Sequence, residues 1–343
     1  MQLYNTLSAK EREALIEQAG KERLTISFYQ YAHIGNPQIL RNHLFINWDK
    51  MEVLGRIYVA HEGINAQLSV PAENFEVLKA HLESISFLEN VRLNIAIEQY
   101  DKSFLKLKIK VRKKIVADGL NDGTFDVTDK GIHVNAEKFN ELIEAPDTVL
   151  VDMRNHYESE IGHFKNAITP DVDTFRDSLD IIEKDLSEHK ENKNLVMYCT
   201  GGIRCEKASA YYKHKGFKNV YQLEGGIIEY ARQVEQKKLE NKFLGKNFVF
   251  DQRRGERITE HVIAQCHQCG APCDTHVNCA NEACHLLFIQ CVDCAKKMDN
   301  CCSVACQEVV ALPYEVQKKL RQGITMSNKI FKKGRSEVLR YKK

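Results

Sequence analysis

Ten of the twelve cysteines in this chain of 343 residues fall between Cys266 and Cys306, leaving the rest almost free of sulfur. A secreted disulfide scaffold distributes its cysteines over a short chain, whereas a cluster at one end of a long chain fits metal ligation in a reducing compartment. Cys266-x-x-Cys269 and Cys291-x-x-Cys294, with 21 residues between the pairs, have the spacing at which a single turn offers two thiolates to a tetrahedral ion. Cys273, Cys279, Cys284, Cys301, Cys302 and Cys306 are available for a second site, and spacing alone leaves the pairing open. Structural zinc is expected, with an iron–sulfur cluster as the alternative. His267, His276 and His285 are spare ligands that read more simply as surface histidines.

The length calls for two or three domains, and three are expected. Hydrophobic content of 43% and charged content of 28% are ordinary for globular proteins. No uncharged apolar run is long enough to span a membrane, and Glu11, Arg12 and Glu13 stand where a signal peptide needs its apolar segment. A cytoplasmic protein with no membrane contact is expected. The net charge of +2 excludes a global field for nucleic acid, so any such binding must be local. Residues 102–114 hold seven Lys or Arg, and Lys106, Lys108, Lys110 and Arg112 alternate with apolar residues, which places them on one strand face. The tail from Lys318 to Lys343 adds ten basic residues against the single acid Glu337.

Residues 1–116 read as one α+β domain. Ser8 to Glu11 forms a capping box for a short helix ended by Gly20. A strand follows over Leu24–Tyr31, then a helix opened by Asn36-Pro37 and running towards Met51. Arg56–Ala60 and Ile64–Val70 alternate as hairpin arms around Gly63, a helix fits Ala72–Ser84, and the basic segment is the last strand. Strand, helix, strand, strand, helix, strand is the order of a ferredoxin-like or acylphosphatase-like domain. Residues 117–135, with Gly119, Gly123 and Gly131 among Asp and Asn, read as a linker.

From 136 to 240 the pattern is α/β: short apolar runs at Val149–Asp152, Leu195–Tyr198 and Val220–Leu223 are separated by helical stretches, implying a parallel sheet covered on both faces. Ligands of such sheets bind beyond the carboxyl ends of the strands, and Cys199 is the first residue after one of them. Cys199-Thr-Gly-Gly-Ile-Arg204 leads into a helix over Glu206–Lys215, ended by Gly216. Two glycines let the main chain curl so that amides and the helix dipole converge on an anion, conditions that depress a thiol pKa. Cys199 is therefore the expected nucleophile, an accessible and ionised sulfur. A cysteine phosphatase needs a longer loop between Cys and Arg than the four residues present here, which favours sulfur chemistry over phosphate. Cys205 is either a resolving thiol or an ordinary helix cysteine. Residues 241–343 form the cysteine-rich domain and basic tail, with a strand expected at Phe248–Phe250.

The stretch from Val149 to Val234 resembles a rhodanese domain. Asp152-Met-Arg154, Glu158, Gly162-His-Phe164 and Ala167-Ile168 are similar to one signature of that family, and Gly216-Phe217 with Leu223-Glu-Gly-Gly226 to another. The resemblance implies a cysteine able to carry a persulfide, with Arg204 closing the loop. Asp152 and Arg154, a charged pair at a strand end, read as fold anchors more than as catalysts. Over nearly its full length the chain resembles the rhodanese-containing tRNA uridine hydroxylases. Gly55-Arg-Ile-Tyr-Val-Ala-His-Glu-Gly-Ile-Asn-Ala-Gln-Leu-Ser-Val-Pro71, Cys266-His-Gln-Cys269-Gly-Ala-Pro-Cys273 and His285-Leu-Leu-Phe-Ile-Gln-Cys291 carry that resemblance, with His61 as a mild departure. It implies 5-hydroxylation of the wobble uridine in the tRNA anticodon region, with molecular oxygen as co-substrate. Sulfur transfer from a Cys199 persulfide and a non-catalytic RNA-binding adaptor are the competing readings. Phosphate contacts would fall to the basic segments, and Tyr29, Tyr31 and Tyr58 either stack on a base or pack a core.

Overall fold

The computed structural model describes residues 9–120, 122–323 and 330–331. Helix α1 (Ala9–Ala19) ends at Gly20, whose φ is 59°; Ser8, its expected cap, lies outside the described residues. Then come β1 (Arg23–Tyr31), α2 (Pro37–Lys50), β2 (Leu54–Ala60), β3 (Gly63–Pro71), α3 (Phe75–Glu83), β4 (Asn94–Ile95) and β5 (Leu107–Val111). The Asn36 side chain accepts from the N–H groups of Gln38 and Ile39 at 3.1 Å, capping α2 just before the first-turn proline.

These strands make one sheet in the order β4-β1-β3-β2-β5. The basic strand is not the one that completes the expected topology. Asn94–Ile95 pairs antiparallel with β1 in that place, and β5 runs parallel to β2 at the opposite edge. Two residues carry no periodicity, so nothing in the sequence marks β4 as a strand. Strand alternation then separates two faces. Ile26, Phe28, Ile57, Val59, Ile64, Ala66 and Leu68 pack with α2 and α3 around Trp48. Ser27, Tyr29, Asn65, Gln67 and Arg56 lie at the alternate positions, on the opposite face.

Next come β6 (Ile132–Val134), α4 (Ala136–Glu144), β7 (Thr148–Asp152), α5 (His156–Ser159), β8 (Gly162–Phe164), α6 (Phe175–Asp185), β9 (Asn194–Tyr198), α7 (Ile203–His214), β10 (Asn219–Leu223) and α8 (Gly226–Lys237). The sheet order is β6-β10-β9-β7 and every pairing is parallel. Strand β6 lies inside the stretch read as a linker. Asp152 and Arg154 are fully buried and paired at 2.7 Å, and Arg154 also donates to the Gly162 carbonyl at 2.6 Å, tying the end of β7 to β8. They anchor the architecture.

Strand β11 (Phe243–Asn247) pairs with β8, and β12 (Glu256–Arg257) with β11. The strand expected at Phe248–Phe250 does not form. The ladder stops at Asn247, and Phe248, Val249 and Phe250 leave it to line the cleft between the first two domains. A hairpin of β13 (His276–Asn278) and β14 (Leu287–Ile289) and helix α9 (Val292–Lys297) carry the cysteine-rich region. Among the described residues no helix is long and apolar enough to cross a membrane.

The polar face of the first sheet docks on α7. Tyr29 donates to Glu206 at 3.1 Å, Tyr31 to the Ile203 carbonyl at 3.4 Å, and Arg92 pairs with Glu224. Lys207, 1% exposed, binds Glu62 at 2.7 Å and Asp118 at 3.2 Å. Removing one member of such a buried group leaves its partners charged and desolvated. Lys207→Met should therefore destabilise the protein by roughly 3–5 kcal/mol, read as a lowered Tm with native far-UV circular dichroism.

Candidate active site

Cys199 leaves β9 at its carboxyl end and the main chain then curls tightly. Gly202 sits at φ 99°, where a Cβ would lie 2.8 Å from the Tyr29 hydroxyl. Gly226 sits at φ 66°, where a Cβ would meet the Cys199 carbonyl at 2.5 Å. Both positions favour glycine on conformational and steric grounds. The Gly202 N–H donates to the Cys199 sulfur at 3.1 Å, and the amides of Arg204 and Cys205 point at the same atom.

The sequence suggested an accessible thiol, whereas Cys199 is 1% exposed. It opens instead onto a cavity of about 80 Å³ between the domains, several times the roughly 10–15 Å³ that one water needs. The first sheet contributes Ser27, Tyr29, Asn65, Gln67 and Asn94, the cysteine loop Thr200, Gly201 and Arg204, and the segment after β11 Phe250 and Glu256. A groove of about 530 Å³ adjoins it, sharing Phe104, Val249, Phe250 and Asp251 and lined also by Arg56, Lys106, Lys108 and Arg254. Asn278 and His285 of the cysteine-rich region complete that groove.

Burial alone would push the Cys199 pKa up. The Cys205 thiol, the Arg204 charge and the loop amides outweigh it and bring the value down to about 6. Cys205 moves the opposite way, raised by burial and by the neighbouring Cys199 sulfur, so it stays protonated beside the thiolate. Arg204 is held by Glu158 in a two-pronged pair, 2.8 Å on each prong, and donates to the Met153 carbonyl at 3.2 Å. Tyr29 and Tyr31 clamp the interface, while Tyr58 receives the Arg112 guanidinium over its ring at 5.6 Å.

Eight of the ten clustered cysteines converge in two groups, Cys266, Cys269, Cys291 and Cys294 in one and Cys279, Cys284, Cys302 and Cys306 in the other. Within each group the sulfurs lie within 4.8 Å of one another. Cys273 and Cys301 belong to neither group. The three histidines are also outside them: His267 contacts Glu160 at 2.8 Å, His285 contacts Asn278 at 2.9 Å, and His276 is buried.

Three family models match the chain: a UPF0176 acylphosphatase-like domain over residues 23–115, a rhodanese-like domain over 135–233 and a rhodanase C-terminal segment over 244–307. A protein of Photorhabdus laumondii named tRNA uridine(34) hydroxylase is 54% identical over 98% of this chain and 96% of its own length. The chain belongs to the tRNA uridine(34) hydroxylase family. Relatives with the same name in Leptospira interrogans and Pectobacterium carotovorum are each 53% identical over 97% of this chain, covering 90% and 94% of their own lengths. Among solved structures, a rhodanese-like domain from Anabaena is 19% identical, covering 33% of this chain and 78% of that one at a TM-score of 0.27.

Sequence reasoning missed Glu158 as the partner of Arg204, and the wall that the first sheet presents to Cys199. The spacing of Asn65 and Gln67 within the 55–71 motif was a signal for a shared face; Asn94 carried none. With a pKa near 6, iodoacetamide labelling of Cys199, followed by peptide mass spectrometry, should rise through a midpoint near pH 6. Below that pH the sulfur is protonated and slow, and Arg204→Gln should move the midpoint upward.

Proposed function

We propose that this protein hydroxylates the wobble uridine of tRNA at C5, using Cys199 as the attacking sulfur. The observation that carries the reading is a depressed-pKa sulfur facing a cavity of about 80 Å³, in a chain of this family. Uracil C5 is a poor nucleophile until a group adds at C6, and a thiolate is suited to that addition. The Cys199 sulfur bonds to C6, the displaced electron pair moves through C5 to O4, and C5 then takes one atom from molecular oxygen. The other atom leaves as water, with two electrons from a reductant of the thiol class. Loss of the C5 proton expels the sulfur and restores the C5–C6 double bond. Arg204, occupied on both terminal nitrogens, keeps the sulfur ionised. The relatives' shared name supports hydroxylation over sulfur transfer or a passive adaptor.

The basic strand supports a phosphate-binding role. Arg56, Lys108, Lys110 and Arg112 have no acidic partner among the described residues, and the charge of Lys110, more than burial or the other two cations, lowers the Lys108 pKa. Such crowding is relieved by polyanions. The tail from Lys318 lies mostly outside the described residues.

The two cysteine groups suit structural zinc. Thiol separations of 3.6, 3.7 and 3.8 Å match the edge of about 3.8 Å that four sulfurs make around zinc at roughly 2.3 Å. Cys266, Cys269, Cys291 and Cys294 would hold one ion and Cys279, Cys284, Cys302 and Cys306 the other. Action on tRNA and this set of free thiols fit a reducing cytoplasm.

In a deletion strain, tRNA should lose 5-hydroxyuridine and its derivatives by nucleoside mass spectrometry, with recovery by the wild-type gene and none by Cys199→Ala. Full recovery with that variant would refute the role of the sulfur. For the metal, elemental analysis should find about two zinc ions per chain. Cys291→Ser should lower that content and the Tm, and iron with a visible absorption band would replace zinc by a cluster.

A further inference from the structure

Across the first sheet, five residues stand directly opposite one another in a single row: Asn94 faces Ser27, Ser27 faces Gln67, Gln67 faces Arg56 and Arg56 faces Lys108. At about 4.8 Å per strand the row is roughly 19 Å long. One end is cationic and lies in the groove, and the other reaches the cavity over Cys199. The Asn94 end is anomalous. Asn94 is 3% exposed and its Oδ1 has no hydrogen-bond partner. Its Nδ2, also without a partner among the described residues, lies 3.6 Å from where a Gly201 Cβ would sit. The Gln67 carboxamide two strands away has no partner among the described residues either. Glu256, whose Oε2 is buried and unpaired, lines the same cavity.

Buried polar atoms without partners are costly, and two of them, on Asn94 and Glu256, belong to residues lining one cavity, beside the half-buried Gln67, which points to a ligand that completes them. We infer that Asn94, assisted by Gln67, is a specificity-determining residue that reads the Watson–Crick edge of the pyrimidine presented to Cys199. This rests on the proposed action on uridine. A buried acceptor needs a donor, and uracil supplies N3–H, with O4 beside it as acceptor for a carboxamide N–H. Cytosine offers a lone pair at N3, and 3-methyluracil a methyl group. In the pyrimidine ring N3 is opposite C6, so a base held by this edge turns C6 towards the loop. The cations of the same row lie where flanking phosphates of an extruded nucleotide would run.

The test is equilibrium binding of anticodon stem-loop RNAs that differ only at the wobble position, measured by fluorescence anisotropy on the full-length protein. Wild type should bind the uridine RNA about tenfold or more tighter than the cytidine or 3-methyluridine RNA. Asn94→Ala should bring that ratio close to one while cytidine RNA binds as before. Asn94→Asp, which keeps the acceptor for N3–H but removes the donor to O4, should weaken uridine RNA and so shrink its lead over cytidine RNA. A purely structural role would instead lower the Tm and weaken all three RNAs alike. The inference is overturned by that outcome, by a wild type without uridine preference, or by Asn94→Ala keeping the ratio at unchanged Tm. Wild-type hydroxylation measured in parallel separates the two claims: uridine preference lost in Asn94→Ala, from a wild type that forms no 5-hydroxyuridine, removes the proposed reaction and leaves base reading intact.

Discussion

A sulfur that is almost wholly cut off from solvent should be a neutral thiol, because low dielectric penalises the charged form. Cys199 is held the other way by donors brought within reach of one atom: the loop amides, the Cys205 thiol and the Arg204 charge. Those donors exist only in the curled loop, and the loop keeps its curl through Gly202 at positive φ and a neighbouring glycine, Gly226, at the start of α8. Arg204 is in turn fixed by Glu158, which also caps α5. The reactivity of one sulfur is thus distributed over β9, α5, α7 and α8.

The same sulfur packs in the core of its own domain and meets the first sheet across the cavity. Helix α7 begins at the cysteine loop and offers Glu206 and Lys207 to Tyr29 and Glu62 of the first sheet. Docking through buried charges fixes orientation more strictly than apolar packing, which tolerates sliding. It leaves a cavity of defined outline, with one wall from each domain and a third from the segment that departs from β11. The cationic edge and the cavity wall belong to one sheet, so the separation between them is fixed.

The cysteine-rich region has little apolar core of its own. Much of its buried material is sulfur, arranged in two four-cysteine groups. The same small segment supplies Asn278 and His285 to the groove beside the cavity.

Much of this was readable from the chain. The alternating strands of the first domain, the parallel sheet, the glycine-curled cysteine loop and the two Cys-x-x-Cys spacings all follow from local periodicity or spacing, which sequence records directly, whereas which cysteines share a group is seen only in the fold. Three further things were decided only in three dimensions. The edge strand Asn94–Ile95 is too short to show a period, and it displaced the basic strand from the expected place. The first sheet became a wall of the cavity at Cys199, held there by contacts as distant in sequence as Tyr29 with Glu206, 177 positions apart. Arg204 was claimed by Glu158, 46 residues away. Sequence determines which groups can ionise and which backbone can curl, since these are properties of residues and their near neighbours. Which of those groups face one another is set by packing between distant segments, and at this site that packing decides both the state of the sulfur and what can reach it.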